Sequence, residues 1–448
     1  MRFSPFDKGI NDVDPSELGS LKKVHEGWFV EYKSQLPKPR RLAKSLAAFA
    51  NQYGGWLFIG VEEESTMTAG GFPGIPNEEL PQVLETLRNA AKDLIRPVVF
   101  FQERIYSGPI EEIGLDSNHS LVAVYVPEGP ETPYVHNDGR LYIRIGDSSS
   151  PVHADDRATF DLLFRRGEGR RQRLESLIDR IPTISKAEEN EPFLHLAILT
   201  DPYETLGHRY TGSFPDFCEI MSSNFIPFDN FFSASDGFVA RQAAKNDRYF
   251  RVPTWEYSRN GHSFVTIPVP NFSPVNSDRL NDVDGSGFST FQDSVAERFR
   301  RIVSESNLGN CRILDLTDFL FIIGAVFRRH RTIMEKAGIS APLHTKVHLE
   351  NVWRTVPFIE LPEYLKHVEK YDIPLVQTNE IEIPPSSSSL PCVVFPELNG
   401  IPREPEPYTE DGPLRLGLRL VEALGIPGYF IAANSTELLE VSKQRRRV

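Results

Sequence analysis

Residues 26 to 63 constrain what this chain can fold into more than any other stretch. They read as a strand, a helix and a second strand, with carboxylates at the ends of both strands. Trp28, Val30 and Tyr32 alternate with Phe29, Glu31 and Lys33, which predicts a strand over Trp28 to Lys33 with Glu31 and Lys33 side by side on one face. Leu42, Leu46, Phe49 and Ala50 recur at helical spacing behind Pro39, a permitted first-turn residue, and Gly54 is a natural exit. Trp56 to Val61 is a nearly continuous apolar run, as a buried central strand requires, and Glu62 and Glu63 follow where it reaches the surface. Glu26 and Glu31 differ in parity along a strand, so Gly27 must break the alternation if both carboxylates are to face one point.

The chemistry open to such a unit follows from its charges. Carboxylates of Glu26, Glu31 and Glu63 converging at strand ends form a candidate site for Mg²⁺ or Mn²⁺, which take oxygen ligands and keep several waters. Such an ion positions water and offsets phosphodiester charge, with Lys33 stabilising the developing negative charge. The competing reading is a structural Glu31–Lys33 ion pair beside an exposed acidic turn at Glu62 to Glu64. Lys38, Arg40, Arg41 and Lys44 give the linking segment and helix a basic run, suited to a nucleic-acid backbone or else simply a solvated helix face. Asn51 with Gly54 and Gly55 is either a ligand-contacting helix end or a plain cap. Arg144, Gly146, Ser148 and Ser149 read as an anion-binding turn or a polar hairpin. His344 and His348 lack a third ligand candidate and are weak metal ligands. No phosphate loop of the Gly-x-x-x-x-Gly-Lys-Ser/Thr kind occurs, nor a Gly-x-Ser-x-Gly nucleophile turn.

At 448 residues the chain exceeds one ordinary core. A net charge of −13 argues against a generally basic nucleic-acid coat, so any polyanion must find a local basic patch. Cys218, Cys311 and Cys392 are far apart, which argues against a zinc knuckle or disulfide scaffold and fits a reducing cytoplasm. The first residues carry no apolar signal core, and the most apolar stretch, Phe319 to Phe327, is too short to span a bilayer. Residues 1 to 20 read as a polar lead-in with a short helix near Glu17, Glu78 to Ile95 as an amphipathic helix, and Val98 to Ile105, Leu121 to Val126 and Leu141 to Ile145 as strands. Asp155 to Arg166 predicts a closing helix, followed by a Gly-containing basic hinge around Arg165 to Arg173. Beyond it, Arg251 to Tyr257 and His262 to Val269 flank a hairpin turn at Arg259-Asn260-Gly261, and Lys346 to Phe358 is strand-like. These readings set domains at 1–166 and 191–448, joined by a helical linker over 167–190.

The order Glu26, Glu31-Tyr32-Lys33, Ala48-Phe49-Ala50-Asn51, Gly54-Gly55, Ile59-Gly60-Val61 and Glu62-Glu63 resembles the AlbA-like domain of the Schlafen family. Tyr142-Ile143-Arg144-Ile145-Gly146 with Ser148-Ser149 matches a later element of the same pattern, so the resemblance covers residues 20 to 165. Glu at 62 and 63 replaces the family's usual Asp and lengthens the reach to a metal by one methylene. The resemblance implies an α/β fold of the α+β kind: a mixed sheet with helices, followed here by an accessory α/β module of unknown role. It implies nucleic-acid binding, RNA favoured over DNA, with Glu26, Glu31, Glu63 and Lys33 as catalytic positions of a Mg²⁺- or Mn²⁺-dependent endoribonuclease. The backbone contacts would fall to Lys38, Arg40, Arg41, Lys44, Asn51, Arg144 and Ser148. Members of another class are non-catalytic DNA-binding regulators or ATP-binding sensors, and that alternative stays open, as does self-association.

Overall fold

The computed structural model describes residues 4–6, 8–145, 150–180, 190–203, 213–222, 228–242, 253–272, 295–337, 342–395 and 414–445. The chain divides into two compact units, Met1–Glu175 with Tyr203–His208, and Ser176–Pro202 with Arg209–Val448. Each is of the α+β kind that the sequence predicts.

The first unit is built on β1 (Val30–Lys33), α1 (Pro39–Asn51) and β2 (Gly55–Ile59). Then come β3 (Glu62–Glu63), β4 (Ala69–Gly71), β5 (Ile75–Pro76), α2 (Leu80–Asp93), β6 (Ile95–Arg96), β7 (Gln102–Ser107) and β8 (His119–Val126). Short strands β9 (Val135–His136), β10 (Tyr142–Ile143) and β11 (Val152–His153) precede α3 (Arg157–Ile178). β1 and β2 pair in parallel, Val30 opposite Trp56 and Lys33 opposite Ile59. That is the geometry a helical crossover permits. β2 is central, flanked by β1 and the antiparallel β8, and β8 also pairs with β5 and β7.

Alternation sends the two sets of side chains to separate cores. Leu57, Ile59, Val122, Val124 and Val126 pack against Leu42, Leu46 and Phe49 of α1 and Val83 and Leu87 of α2. On the other face, Val30, Tyr32, Trp56, Phe58 and Tyr125 are covered by Phe6, Ile10, Val13, Leu18 and Leu21. Phe6 and residues 10–21 are therefore a layer of the fold rather than a lead-in. Phe6 meets Trp56 and Phe58 edge-on at 5.6 and 6.0 Å. A capping box closes the 3₁₀ turn over Pro15–Lys23, where Asp14 and Glu17 satisfy each other's backbone groups. Gly54, at φ +80, makes the turn out of α1 where a Cβ would fall 2.7 Å from the Val126 carbonyl oxygen.

Three sequence expectations change here. The strand predicted over Trp28 to Lys33 begins only at Val30, because residues 26 to 29 bend. The strand expected at Val98 to Ile105 is shifted to Gln102–Ser107. The hinge expected near Arg165 to Arg173 is uninterrupted helix, and Gly167 has a packing reason. A Cβ there would lie 2.1 Å from the Thr132 carbonyl oxygen, so glycine lets α3 approach that loop, whose Thr132 hydroxyl donates to the Leu163 carbonyl.

The second unit carries β12 (Phe193–Thr200), α4 (Phe214–Met221), β13 (Asn230–Ala234), β14 (Gly237–Arg241), β15 (Thr254–Ser258), β16 (Ser263–Pro268) and β17 (Asn271–Phe272). It continues with α5 (Val295–Glu305), β18 (Ile313–Asp315), α6 (Phe319–Lys336), β19 (Leu343–Glu350), β20 (Val356–Phe358), α7 (Pro362–Tyr371), β21 (Glu380–Ile383) and β22 (Val393–Phe395). Helices α8 (Leu414–Ala423), α9 (Gly428–Ala433) and α10 (Ser435–Arg445) complete it. Its large sheet runs β13-β14-β15-β16-β12-β19-β21, with β22 also on β19, and the predicted hairpin is β15–β16. Leu194, Leu196, Ile198, Val265, Val347 and Leu349 face a core filled by α6, where Ile323, Val326 and Phe327 are wholly buried. The strand expected over Lys346 to Phe358 is two strands in different sheets, broken where Asn351 and Arg354 adopt φ of 62 and 53. Among the described residues no helix is long and apolar enough to cross a membrane.

Candidate functional site

The acid–base cluster at the start of the first unit follows from how β1 begins. Gly27 N–H donates to the Val30 carbonyl at 3.0 Å, closing a turn that breaks the alternation. Glu26 is thereby folded back over β1, and its Oε1 accepts the Tyr32 backbone N–H. Glu31, on the α1 face of β1, accepts from the Ser45 hydroxyl at 3.0 Å through Oε1 and pairs with Arg144 Nη1 at 2.8 Å through Oε2. Lys33 closes the arrangement: its Nζ lies 3.1 Å from Glu31 Oε1 and 3.7 Å from Glu26 Oε1, and donates to the Tyr32 carbonyl at 2.8 Å. Both carboxylates are buried, and the Lys33 side chain is one-third exposed.

Arg144 is the keystone. It has no exposed surface. Its Nε donates to the Gly27 carbonyl at 2.7 Å, and its guanidinium lies 4.5 Å from the Phe49 ring centroid. Phe49 in turn occupies space that only glycine leaves at 55, where a Cβ would come 2.2 Å from the ring. The bend at Gly27, the buried acid at Glu31 and the α1 aromatic are therefore locked by one side chain.

Glu26 is the unbalanced member. Its Oε2 is buried with no hydrogen-bond partner. Burial raises its pKa, opposed by the Lys33 charge and the Tyr32 N–H, while the charges of Glu63 and Glu31 push the same way as burial. Glu63 is thus within electrostatic reach, yet it sits exposed on β3, where the register with β4 shifts between Glu62 and Glu63.

These residues do not fit a divalent ion as they stand. Both Glu31 oxygens are engaged, and Lys33 already supplies a cation between the two buried carboxylates. The set of Glu26, Glu31, Lys33 and Arg144 is formally neutral. Among the described residues no group of three or more His, Cys, Asp or Glu is placed to hold a metal. His348 instead pairs with Glu382 at 3.3 Å, and partial burial pushes the His344 imidazole down to about 4.

The expected nucleic-acid contacts separate into two groups. Lys38, Arg40 and Arg41 are exposed at the first turn of α1 and form no ion pair among the described residues. Lys44 is half-buried, 4.6 Å from the Tyr142 ring centroid and 3.8 Å from Asp138 Oδ2. Arg144 and Asn51, by contrast, are interior groups. Asn51 Nδ2 donates to the Tyr134 and Tyr142 carbonyls at 2.8 and 3.0 Å, and its Oδ1 accepts from Tyr134 N–H at 2.7 Å. It ties α1 to β9 and β10, with both amide hydrogens engaged and no exposed surface. Ser148, like Gly146 and Ser149, lies outside the described residues. Sequence reasoning missed Ser45, whose signal was a polar residue on the apolar face of α1. It also missed Asp138, which accepts from the Tyr142 hydroxyl at 2.7 Å and contacts the His136 ring, and whose carboxyl is held down at about 2 despite partial burial.

Residues 26–153 match the domain family described as Schlafen, AlbA_2. No curated protein matches the chain. Among solved structures, the DIP2311 protein from Corynebacterium diphtheriae is similar at 22% identity and a TM-score of 0.21, over 31% of this chain and 24% of that one. The chain thus spans about a quarter of that protein's length. The family match suggests a nucleic-acid-related function for the first unit. Residues 26–153 are a Schlafen-family AlbA-like domain.

Proposed function

We propose that the AlbA-like domain binds nucleic acid, single-stranded RNA above duplex DNA, through the exposed basic entry of α1, and that it does so without cutting. The observation that carries this reading is the contrast between the two sets of charges. Lys38, Arg40 and Arg41 face solvent with no ion pair among the described residues, whereas Lys33 and Arg144 are spent on Glu26 and Glu31. Three cations at a helix N-terminus, where the macrodipole already favours anions, offer a local phosphate site on a chain of net charge −13.

Each phosphate neutralised by Lys or Arg contributes about 0.7 to the slope of log affinity against log salt for a single strand. Arg40→Ala with Arg41→Ala is therefore expected to weaken binding of a single-stranded RNA oligonucleotide and flatten the salt slope by about 1.4. An unchanged slope would return these residues to solvent.

The metal-dependent endoribonuclease reading, with Mg²⁺ or Mn²⁺ on Glu26, Glu31 and Glu63, has one observation in its favour, the unpartnered buried Oε2 of Glu26. It requires Lys33 to leave its present position. Incubation of the protein with transfer RNA in Mn²⁺, Mg²⁺ or EDTA separates the two readings. Binding without scission is the expected result. Scission that disappears in EDTA and in Glu26→Gln would put cleavage in front.

A further inference from the structure

The second unit presents a surface that the reading above does not use. At the C-terminal end of α7 and the start of α9, Tyr371 and Tyr429 are exposed at 58% and 65%. They are not loose. The Lys370 ammonium lies 4.8 Å from the Tyr371 ring centroid, and Tyr429 directly precedes Phe430, whose ring packs on the same His367 as Tyr371 does. Beneath them the rings continue inward. His367 is 4.9 Å from Tyr371 and 5.4 Å from Phe430, and it stacks at 6.4 Å on Tyr364, which is wholly buried. Tyr371 is followed at once by Asp372, the end residue of α7, at φ 73 and ψ 171. That backbone region is open essentially to glycine alone. A ladder of rings anchored in the core, ending in two solvent-facing phenols beside a strained residue, presents flat π-surface at little ordering cost.

We propose that Tyr371 and Tyr429 form a stacking platform for the unpaired bases of single-stranded RNA, with Lys370 as the phosphate contact beside it. This rests on the RNA-binding reading above and adds a second contact region to it. Charge selects the occupant. Lys370 makes no ion pair with a carboxylate among the described residues, and it is the cation nearest the rings. Lys366, one turn back, is held by Glu363 at 3.6 Å. Every base has a π-face, so such a platform tolerates any sequence and disfavours duplex, whose bases are already stacked.

The test uses the full chain with a fluorescently labelled 20-nucleotide single-stranded RNA and the same sequence as duplex. Stacking is worth about 1–3 kcal/mol per base, or about 5- to 150-fold per ring lost. Tyr371→Ala with Tyr429→Ala is expected to lower single-strand affinity at least tenfold and leave duplex affinity unchanged. Tyr371→Phe with Tyr429→Phe, which keeps the rings, should retain most of the wild-type affinity, and circular dichroism should show all variants folded. Wild-type single-strand affinity in the Ala pair overturns the platform, as does a Phe pair as weak as the Ala pair. If the Ala pair binds normally while the Arg40/Arg41 pair does not, the platform falls and the N-terminal reading stands. A wild-type protein that binds no RNA removes both.

Discussion

Arg144→Ala is expected to destabilise the AlbA-like domain by about 3–5 kcal/mol, the usual cost of removing one partner of a buried ion pair. The cost is not the worth of a salt bridge. It is the penalty of leaving the Glu31 carboxylate in the interior with only Ser45 and the one-third-exposed Lys33 to answer it. The Gly27 carbonyl loses its donor at the same time, and Phe49 loses its cation contact. Arg144→Lys should recover little, because an ammonium cannot serve the Gly27 carbonyl and Glu31 with the spacing of a planar fork. Pairing Arg144→Ala with Glu31→Gln should recover more, since the buried charge is then gone. Chemical denaturation of wild type, both single variants and the double variant measures this directly. A double variant no better than Arg144→Ala alone would mean that the guanidinium acts by packing and not by charge. A loss below about 1 kcal/mol would mean that water reaches Glu31 freely.

The same side chain shows where sequence reading stops. Arg144 belongs to a recognisable pattern, and an arginine beside a Gly/Ser turn reads naturally as an anion contact. Its partner is 113 residues away, and no local periodicity records that pairing. What the chain does announce is local: the alternation of Val30 to Lys33, the helical stripe of α1, the apolar run of β2 and the glycines that turn between them. Those elements formed as expected because local pattern and burial agree. The N-terminal layer was obscure for the opposite reason. Two 3₁₀ segments carry few buried residues, Ile10 alone in one and the single i, i+3 pair Leu18 and Leu21 in the other, too short a pattern to stand out until the sheet they cover gives it meaning. Gly167 misled as a hinge because a glycine needed for close approach looks, in sequence, like one needed for freedom. Within the site, the bend at Gly27 and the Glu31–Lys33 neighbour relation were both readable. Whether Lys33 neutralises the acids or waits for phosphate was not, because that depends on distances set by the burial of Glu26.

Acid is expected to unfold the second unit through His330. This imidazole is wholly buried on α6, between the Thr200 hydroxyl at 2.8 Å from Nε2 and the Ser263 hydroxyl at 2.9 Å from Nδ1. Ser263 also accepts from the Trp255 indole N–H at 2.9 Å, so the network ties α6 to β12, β16 and β15. Burial, with the neighbouring His262 adding to it, pushes the His330 pKa from 6.5 down to about 3. The folded state therefore keeps the ring neutral where the unfolded chain protonates it. Stability is fully present above pH 6.5 and falls as pH drops through the window toward 3, by at most about 1.4 kcal/mol per pH unit. His344, pushed down to about 4 by burial, contributes with the same sign. Glu26 in the first unit works oppositely: its raised pKa favours the folded state at low pH, a contribution lost as pH rises through the folded value. Comparing wild type with His330→Gln cancels such terms. Below pH 6.5 the wild-type stability should decline more steeply than that of the variant, by a slope that approaches about 1.4 kcal/mol per unit, so the two curves draw together by about 2 kcal/mol between pH 6.5 and 4.5. The measurement is denaturant unfolding at several pH values, read by amide hydrogen exchange in α6 and β12. Parallel curves would show that His330 is as easily protonated in the folded chain as in the unfolded one, and that the hydroxyls of Thr200 and Ser263 turn to accept its second proton.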